Sequence, residues 1–182
     1  MSQAVRIHKT GGPEVLTLDE VEDYAPGKGE IAITQTAIGI NYIDIYHRNG
    51  LYPLPLPATL GIEAVGFVEE IGRDVEGIRV GDRVAYATAP SGAYTTRRVI
   101  SRDLVVPVPD HITDEQAASS LVKGLTAHYL LQRTFVIQPG VSTILVHAAA
   151  GGVGQLLGQW ANWHKCTVIG TVGSDEKAAI AA

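Results

Sequence analysis

A short apolar run rich in β-branched residues, Ser142–His147 (STILVH), leads straight into AAAGGVG, and those glycines open a stretch with helical spacing, QLLGQWANWH. Strand, glycine turn and helix in that order leave few folds open. A second apolar run, Thr167–Val172 (TVIGTV), comes next. GSDEKAAIAA then reads as another helix start, with Ser174 as N-cap and Lys177 at N3. Connections this short make a βαβ unit, whose right-handed crossover sets the two strands parallel with the helix on one face. A doubly wound sheet needs about six strands for its two mononucleotide-binding halves, and only two or three can be found here. The nucleotide domain is therefore expected to be cut short within the 182 residues.

Aligned on G-x-G-x-x-G, the loop reads Ala149-Ala150-Gly151-Gly152-Val153-Gly154, with Ala in place of the first glycine. Gly151 or Gly152 lets the backbone approach a pyrophosphate, and Gly154 lets the helix pack close to the strand. Free N–H groups at the helix start bind the anion. The plain alternative is a tight strand-to-helix turn with no ligand. At the end of the second strand, where an acidic residue would hold the ribose 2′-hydroxyl of NAD, the chain has Val172-Gly173-Ser174-Asp175-Glu176-Lys177. Gly, Ser and a Lys one turn later suit a 2′-phosphate, which favours NADP over NAD. Asp175 and Glu176 argue the other way on charge, although the helix dipole explains acidic residues in a first turn equally well.

The first half has a different texture. Gly or Pro punctuates it every eight to twelve residues or so, as expected between short strands. Ile31–Ile40, Glu63–Ile71 and Arg83–Ala87 read as strands, and LYPLPLPATLG as a loop, because alternating prolines remove ladder donors. After about Val108 helix replaces strand: ITDEQAASSLVKGLTAHYLLQRT has helical spacing, with Thr113 and Gln116 as a capping box. The expected division is residues 1–120, β-rich, and 121–182, the start of the nucleotide domain.

Composition excludes several classes of function. Hydrophobic residues make up 46% and charged residues 18%, which excludes a disordered polyampholyte. No run approaches the roughly 18 apolar residues of a membrane span. A net charge of −5 offers no basic field for a phosphate backbone, so nucleic acid is not expected as the principal partner. Cys166 is the one cysteine, so an internal disulfide and a four-thiolate zinc cluster are both ruled out. With no leader-like pattern at Met1–Thr10, the expected compartment is the cytoplasm.

In order and spacing, HKTGGPEVL, AIGINYIDIYHRNGLYP, LGIEAVGFVEEIG, GDRVAY, GAYTTRRVI, EQAASSLVKGLTAHYLL and HAAAGGVGQ resemble the NADPH:quinone oxidoreductases. These are zinc-free, zeta-crystallin-like members of the medium-chain dehydrogenase/reductase superfamily. The resemblance covers the whole chain. It implies a GroES-like β-rich catalytic domain followed by a Rossmann domain, an active site in the cleft between them, NADP(H) as cofactor, a quinone as substrate and a homodimer for the intact protein. It also implies a further C-terminal stretch, so the chain is expected to carry only the first part of the cofactor site.

Carried over by the same resemblance, Asn41, Tyr42, Asp44 and Tyr46 of NYIDIY lie at the nicotinamide end and Tyr129 of KGLTAHY lies beside the cofactor. Gly152 and Val153, within the loop Gly151–Gly154, meet the pyrophosphate. Gly173, Ser174 and Lys177 take the adenosine ribose and its 2′-phosphate, and Tyr52 borders the quinone pocket. Asn41, Tyr46 and Tyr52 are the candidate catalytic residues. Each has a plain alternative: Tyr46 and Tyr52 as half-buried aromatics, Asn41 as a turn cap, Asp44 as a helix cap. Zinc members have a Cys where this chain has Asn41, and Gly-His-Glu where it has Gly61-Ile62-Glu63, so no metal is expected. A quinone is already electrophilic, and a hydride arriving on a ring carbon leaves a negative oxygen for nearby donors and solvent to protonate. Glu63 could orient a neighbour or shape its loop, and His147 reads as a packed or hydrogen-bonded residue. The rivals are an alkenal or enoyl reductase of the same superfamily and a non-catalytic, truncated cofactor-binding or structural chain.

Overall fold

A computed structural model of the chain describes residues 1–87 and 90–182. These form two compact units, Met1–Leu121 and Val122–Ala182. The first is β-rich. Strands β1 (Ser2–Ile7), β2 (Leu16–Val21), β3 (Glu30–Ile38), β4 (Ala58–Thr59), β5 (Glu63–Ile71), β6 (Arg83–Ala87), β7 (Arg97–Ser101) and β8 (Val105–Pro107) are joined by turns, short 3-10 helices at Pro13–Val15 and Arg102–Leu104, and the α-helix α1 (Tyr42–Asn49). A five-stranded antiparallel sheet runs β7-β3-β5-β6-β8, and a three-stranded sheet runs β2-β1-β4. One face of the larger sheet buries Ile31, Ile33, Val68, Val84, Tyr86 and Ile100. Its other face packs Val65 and Ala85 against Ala117 and Ala118 of α2 (Asp114–Tyr129), the helix in which the division between units falls. Each Val or Ile among them contributes about 1.5–3 kcal/mol when fully buried.

The β1–β2 pair is an addition to the sequence reading, which placed no strand there. The prolines at 53, 55 and 57 do make an irregular segment, but Ala58 and Thr59 at its end pair with Ile7 and Arg6 of β1. β3 stops at Ile38 rather than Ile40, although Gly39 N still donates to Glu63 O of β5 at 3.0 Å. α2 begins as the capping box requires: Gln116 N donates to Thr113 Oγ1 at 3.2 Å and Thr113 N to Gln116 Oε1 at 2.9 Å. A single π-turn at Leu130–Thr134 follows the helix.

In the second unit, β9 (Thr143–His147) and β10 (Thr167–Thr171) pair in parallel, from Thr143 beside Thr167 to His147 beside Thr171. α3 (Gly152–Trp163) joins them, and α4 (Asp175–Ala181) follows. Alternation along β9 buries Ile144 and Val146 with Leu131, Ile137, Ala161 and Cys166. Leu145 and Ile169, on neighbouring strands, are exposed. The architecture is thus a GroES-like β-rich domain followed by the start of a Rossmann-type parallel α/β domain. No described helix is long and apolar enough to cross a membrane.

Candidate functional site

The first cluster is built where α1 starts. Asn41 is extended, with φ −128°, and caps the helix, while its backbone N–H donates to Asp44 Oδ2 at 2.9 Å. An acidic residue in the first turn also complements the helix dipole. Gly50, at φ 85°, ends the helix in the left-handed conformation that glycine adopts without strain. The structure therefore gives Asp44 the capping role named as its plain alternative, and buries it at 4% exposure.

Three further contacts join this start to distant strands. Asn41 Nδ2 donates to Glu63 Oε2 at 2.9 Å, and Glu63 has 0% exposure at the first position of β5. Tyr94 donates its hydroxyl to Asp44 Oδ2 at 2.8 Å. Burial, and then this hydrogen bond, push the Tyr94 phenol well above its ordinary range. Asp44 Oδ1 is buried and has no hydrogen-bond partner among the described residues. The Tyr94 ring lies so close to Gly61, at φ 88°, that a Cβ there would fall 2.7 Å from Cε1. Sequence reasoning missed Tyr94. Nothing local to GAYTTRRVI marks this half-buried tyrosine as the partner of Asp44.

Beside this network stands a row of aromatic rings. Tyr42 and Tyr46 meet edge to face at 5.2 Å, and Tyr46 and Tyr52 at 5.3 Å. Tyr42 and Tyr52 are exposed and Tyr46 is half-buried. The structure thus brings Asn41, Tyr42, Asp44, Tyr46 and Tyr52 together within the first unit. A separate cavity of about 750 Å3 in that unit, lined by Arg6, Arg97 and Arg98 among others, contains none of them.

The second cluster is the glycine loop. Ala148 takes φ 52°, and Ala149 N bonds Thr171 O at 3.0 Å, tying the loop to the end of β10. Gly151 is the N-cap of α3 and, as a glycine, offers no side-chain oxygen to the N–H groups of the first turn. A Cβ at Gly154 would fall 2.8 Å from Ala149 Cα, the close helix–strand approach that the motif implies. Gly152 holds a surprise: the space of its missing Cβ is taken by the Lys123 stem, whose Cδ would lie 2.8 Å away. Lys123 had not been singled out from the sequence. Ser174 Oγ accepts from Lys177 N at 3.3 Å, which makes Ser174 the cap of α4. His147 Nδ1 and Thr171 Oγ1 share a 2.9 Å hydrogen bond at the strand ends, and Tyr129 is half exposed at the end of α2. Uncapped first-turn amides and glycines that admit a close backbone approach fit a dinucleotide pyrophosphate.

Residues 27–110 match the alcohol dehydrogenase GroES-like domain. Over all 182 residues the chain is 48% identical to a quinone oxidoreductase of Pseudomonas aeruginosa, of which it covers 56%. It is 42% identical to a 2-haloacrylate reductase of a Burkholderia species, again covering 56% of that protein. Among solved structures, the quinone oxidoreductase of Escherichia coli complexed with NADPH superposes with a TM-score of 0.95 at 47% identity, over 98% of this chain and 55% of that one. The chain spans about half the length of the curated relatives it matches.

Proposed function

Because the chain belongs to the quinone oxidoreductase family of the medium-chain dehydrogenase/reductases, we propose that the whole protein transfers hydride from NADPH to a quinone without a catalytic metal. One observation carries this reading. A single chain combines a glycine-built cradle at the start of α3 with a helix start where a buried amide, Asn41, is tied to a carboxylate, Glu63. The position that a thiolate holds in zinc members is thereby given to a neutral hydrogen-bonding group.

NADPH, when bound, supplies the hydride. The chain's own residues bind and orient. The first-turn amides of α3 at Gly152 and Val153 take the pyrophosphate, inside the loop Gly151–Gly154. Gly173, Ser174 and Lys177 take the adenosine ribose and its 2′-phosphate, and the Lys177 ammonium supplies a charge-assisted contact. Asn41, Tyr42, Asp44 and Tyr46 serve the nicotinamide end, with Tyr129 beside the cofactor, and Asp44 Oδ1 is an acceptor already desolvated for a donor. Tyr52 borders the quinone. Hydride addition to a ring carbon leaves negative charge on the quinone oxygen, and Asn41 Nδ2 or a tyrosine hydroxyl donates to that oxygen before solvent protonates it. The same reading makes the protein a cytoplasmic homodimer.

The test is NADPH oxidation by the full-length protein with 1,4-benzoquinone, with and without a chelator, beside the same assay with a 2-alkenal and with 2-chloroacrylate. Quinone turnover that survives chelation is the expected result. A strong preference for an activated carbon–carbon double bond would favour the second reading, an alkenal or enoyl reductase, for which the likeness to the 2-haloacrylate reductase speaks.

A further inference from the structure

Resting on the quinone reductase reading, we propose that Glu63 is the positioning residue for Asn41, and that it decides which end of the Asn41 amide meets the reacting oxygen. The asparagine amide is a planar group with a donor end and an acceptor end of nearly equal size; in the capping box of α1 the Asp44 N–H approaches its acceptor side, which leaves the donor end to be held by another group. A carboxylate only accepts. Glu63 Oε2, 2.9 Å from Asn41 Nδ2, therefore holds the donor end, and turning the amide over would set Asn41 Oδ1 against Oε2 with two acceptors facing.

Glu63 is held firmly enough for this role. It pairs with Ala87 of β6, and its carbonyl accepts from Gly39 N at 3.0 Å. A Cβ at Gly39 would press on its carboxylate and on the Ala118 carbonyl, so only glycine admits the side chain there. Asn41 is 8% exposed, and its main chain is fixed by the Asp44 carboxylate. With the main chain and one N–H both fixed, the planar fork of Nδ2 gives its second hydrogen a single direction. A donor aimed before charge develops stabilises an oxyanion with little reorganisation.

The experiment compares the full-length wild type, Glu63→Gln, Asn41→Ala and the double variant, with NADPH and 1,4-benzoquinone. Glutamine keeps the shape of Glu63 but brings its own donor, so it accepts either orientation of Asn41. Glu63→Gln is expected to lower kcat about 10-fold with KM for NADPH unchanged, below the 10²–10³ typical of deleting an oxyanion donor outright. The double variant is expected to fall no lower than Asn41→Ala, because Glu63 acts through Asn41. Undiminished kcat in Glu63→Gln, or a double loss equal to the product of the single losses, overturns the proposal. If Glu63→Gln fails to fold, Glu63→Asp replaces it. That variant keeps an acceptor-only group, so whatever kcat it loses should be lost through Asn41 and disappear when Asn41 is already Ala; a Glu63→Asp loss of the same size in the Asn41→Ala background overturns the proposal.

A second readout needs no cofactor. Hydrogen exchange of the Asn41 side-chain amide, identified as the pair of resonances lost in Asn41→Ala, is protected in the wild type and loses that protection in Glu63→Gln. Unchanged exchange overturns the proposal. A wild type that reduces no quinone sinks the reading of the reaction, and the exchange comparison then still decides the orientation.

Discussion

Tyr94 and Asp44 lie 50 residues apart in the chain and share a 2.8 Å hydrogen bond, so the start of α1 is fixed from a segment beyond β6. Removing the hydroxyl in Tyr94→Phe takes one of two donors from Asp44 Oδ2 and leaves it the Asn41 N–H, a loss of about 1–3 kcal/mol for a hydrogen bond to a carboxylate. A lower melting temperature at neutral pH checks this.

The same bond sets a dependence on alkali. The Tyr94 phenol is raised in the folded state, by burial first and by Asp44 second, whereas an unfolded tyrosine titrates near pH 10. Below about pH 10 both states hold the proton and the contribution is complete. Above it the unfolded chain releases its proton first, so stability falls as pH rises. Melting temperatures from pH 8 to pH 11 should fall less steeply in Tyr94→Phe than in the wild type. Tyr86, raised by burial, remains in both proteins and keeps part of the slope. Identical slopes would count against the assignment.

Two glycines of α3 should respond in opposite directions to the same change. Gly154→Ala sets a Cβ 2.8 Å from backbone that cannot swing away, at a cost of about 1–3 kcal/mol. Gly158→Ala meets nothing within 4 Å and gains about 0.5–1 kcal/mol of helix propensity. Urea unfolding of both variants measures the pair, and equal shifts would argue against close helix–strand packing.

Lys177 is expected to choose the cofactor. In Lys177→Ala the ratio of kcat/KM for NADPH over NADH should fall about 10- to 100-fold, the range of a charge-assisted contact. Steady-state assays with the two dinucleotides give the ratio, and an unchanged value would remove Lys177 from the 2′-phosphate site.

At the start of α2, Thr113→Ala removes the oxygen that accepts from Gln116 N, and should cost about 1 kcal/mol. Thermal unfolding reads it, and Thr113→Ser should restore most of the loss.

What could be read from the sequence followed the reach of each signal. β9, α3, β10 and both caps, Thr113 with Gln116 and Ser174 with Lys177, announce themselves within a few residues, and the structure has them. β1 and β2 do not, since their stability comes from pairing with each other, from Ser2 opposite Val21 to Ile7 opposite Leu16. β2 carries only a weak apolar pattern because it is largely solvent-facing. The site divides the same way. Asn41 and Asp44 lie in one motif, but their partners Glu63 and Tyr94 come from β5 and from the segment before β7, and only folding brings the four together. Lys123 was invisible because nothing local marks the helix side chain that will lie over Gly152.

That last contact makes positions 123 and 152 epistatic. A Cβ at 152 is tolerable only when the side chain at 123 shortens or swings aside, so the effect of one substitution depends on the residue present at the other. In a pairwise mutational scan the flexible Lys123 stem should swing aside and keep the cost of Gly152→Ala small, and what cost remains should vanish when Lys123→Ala is already present.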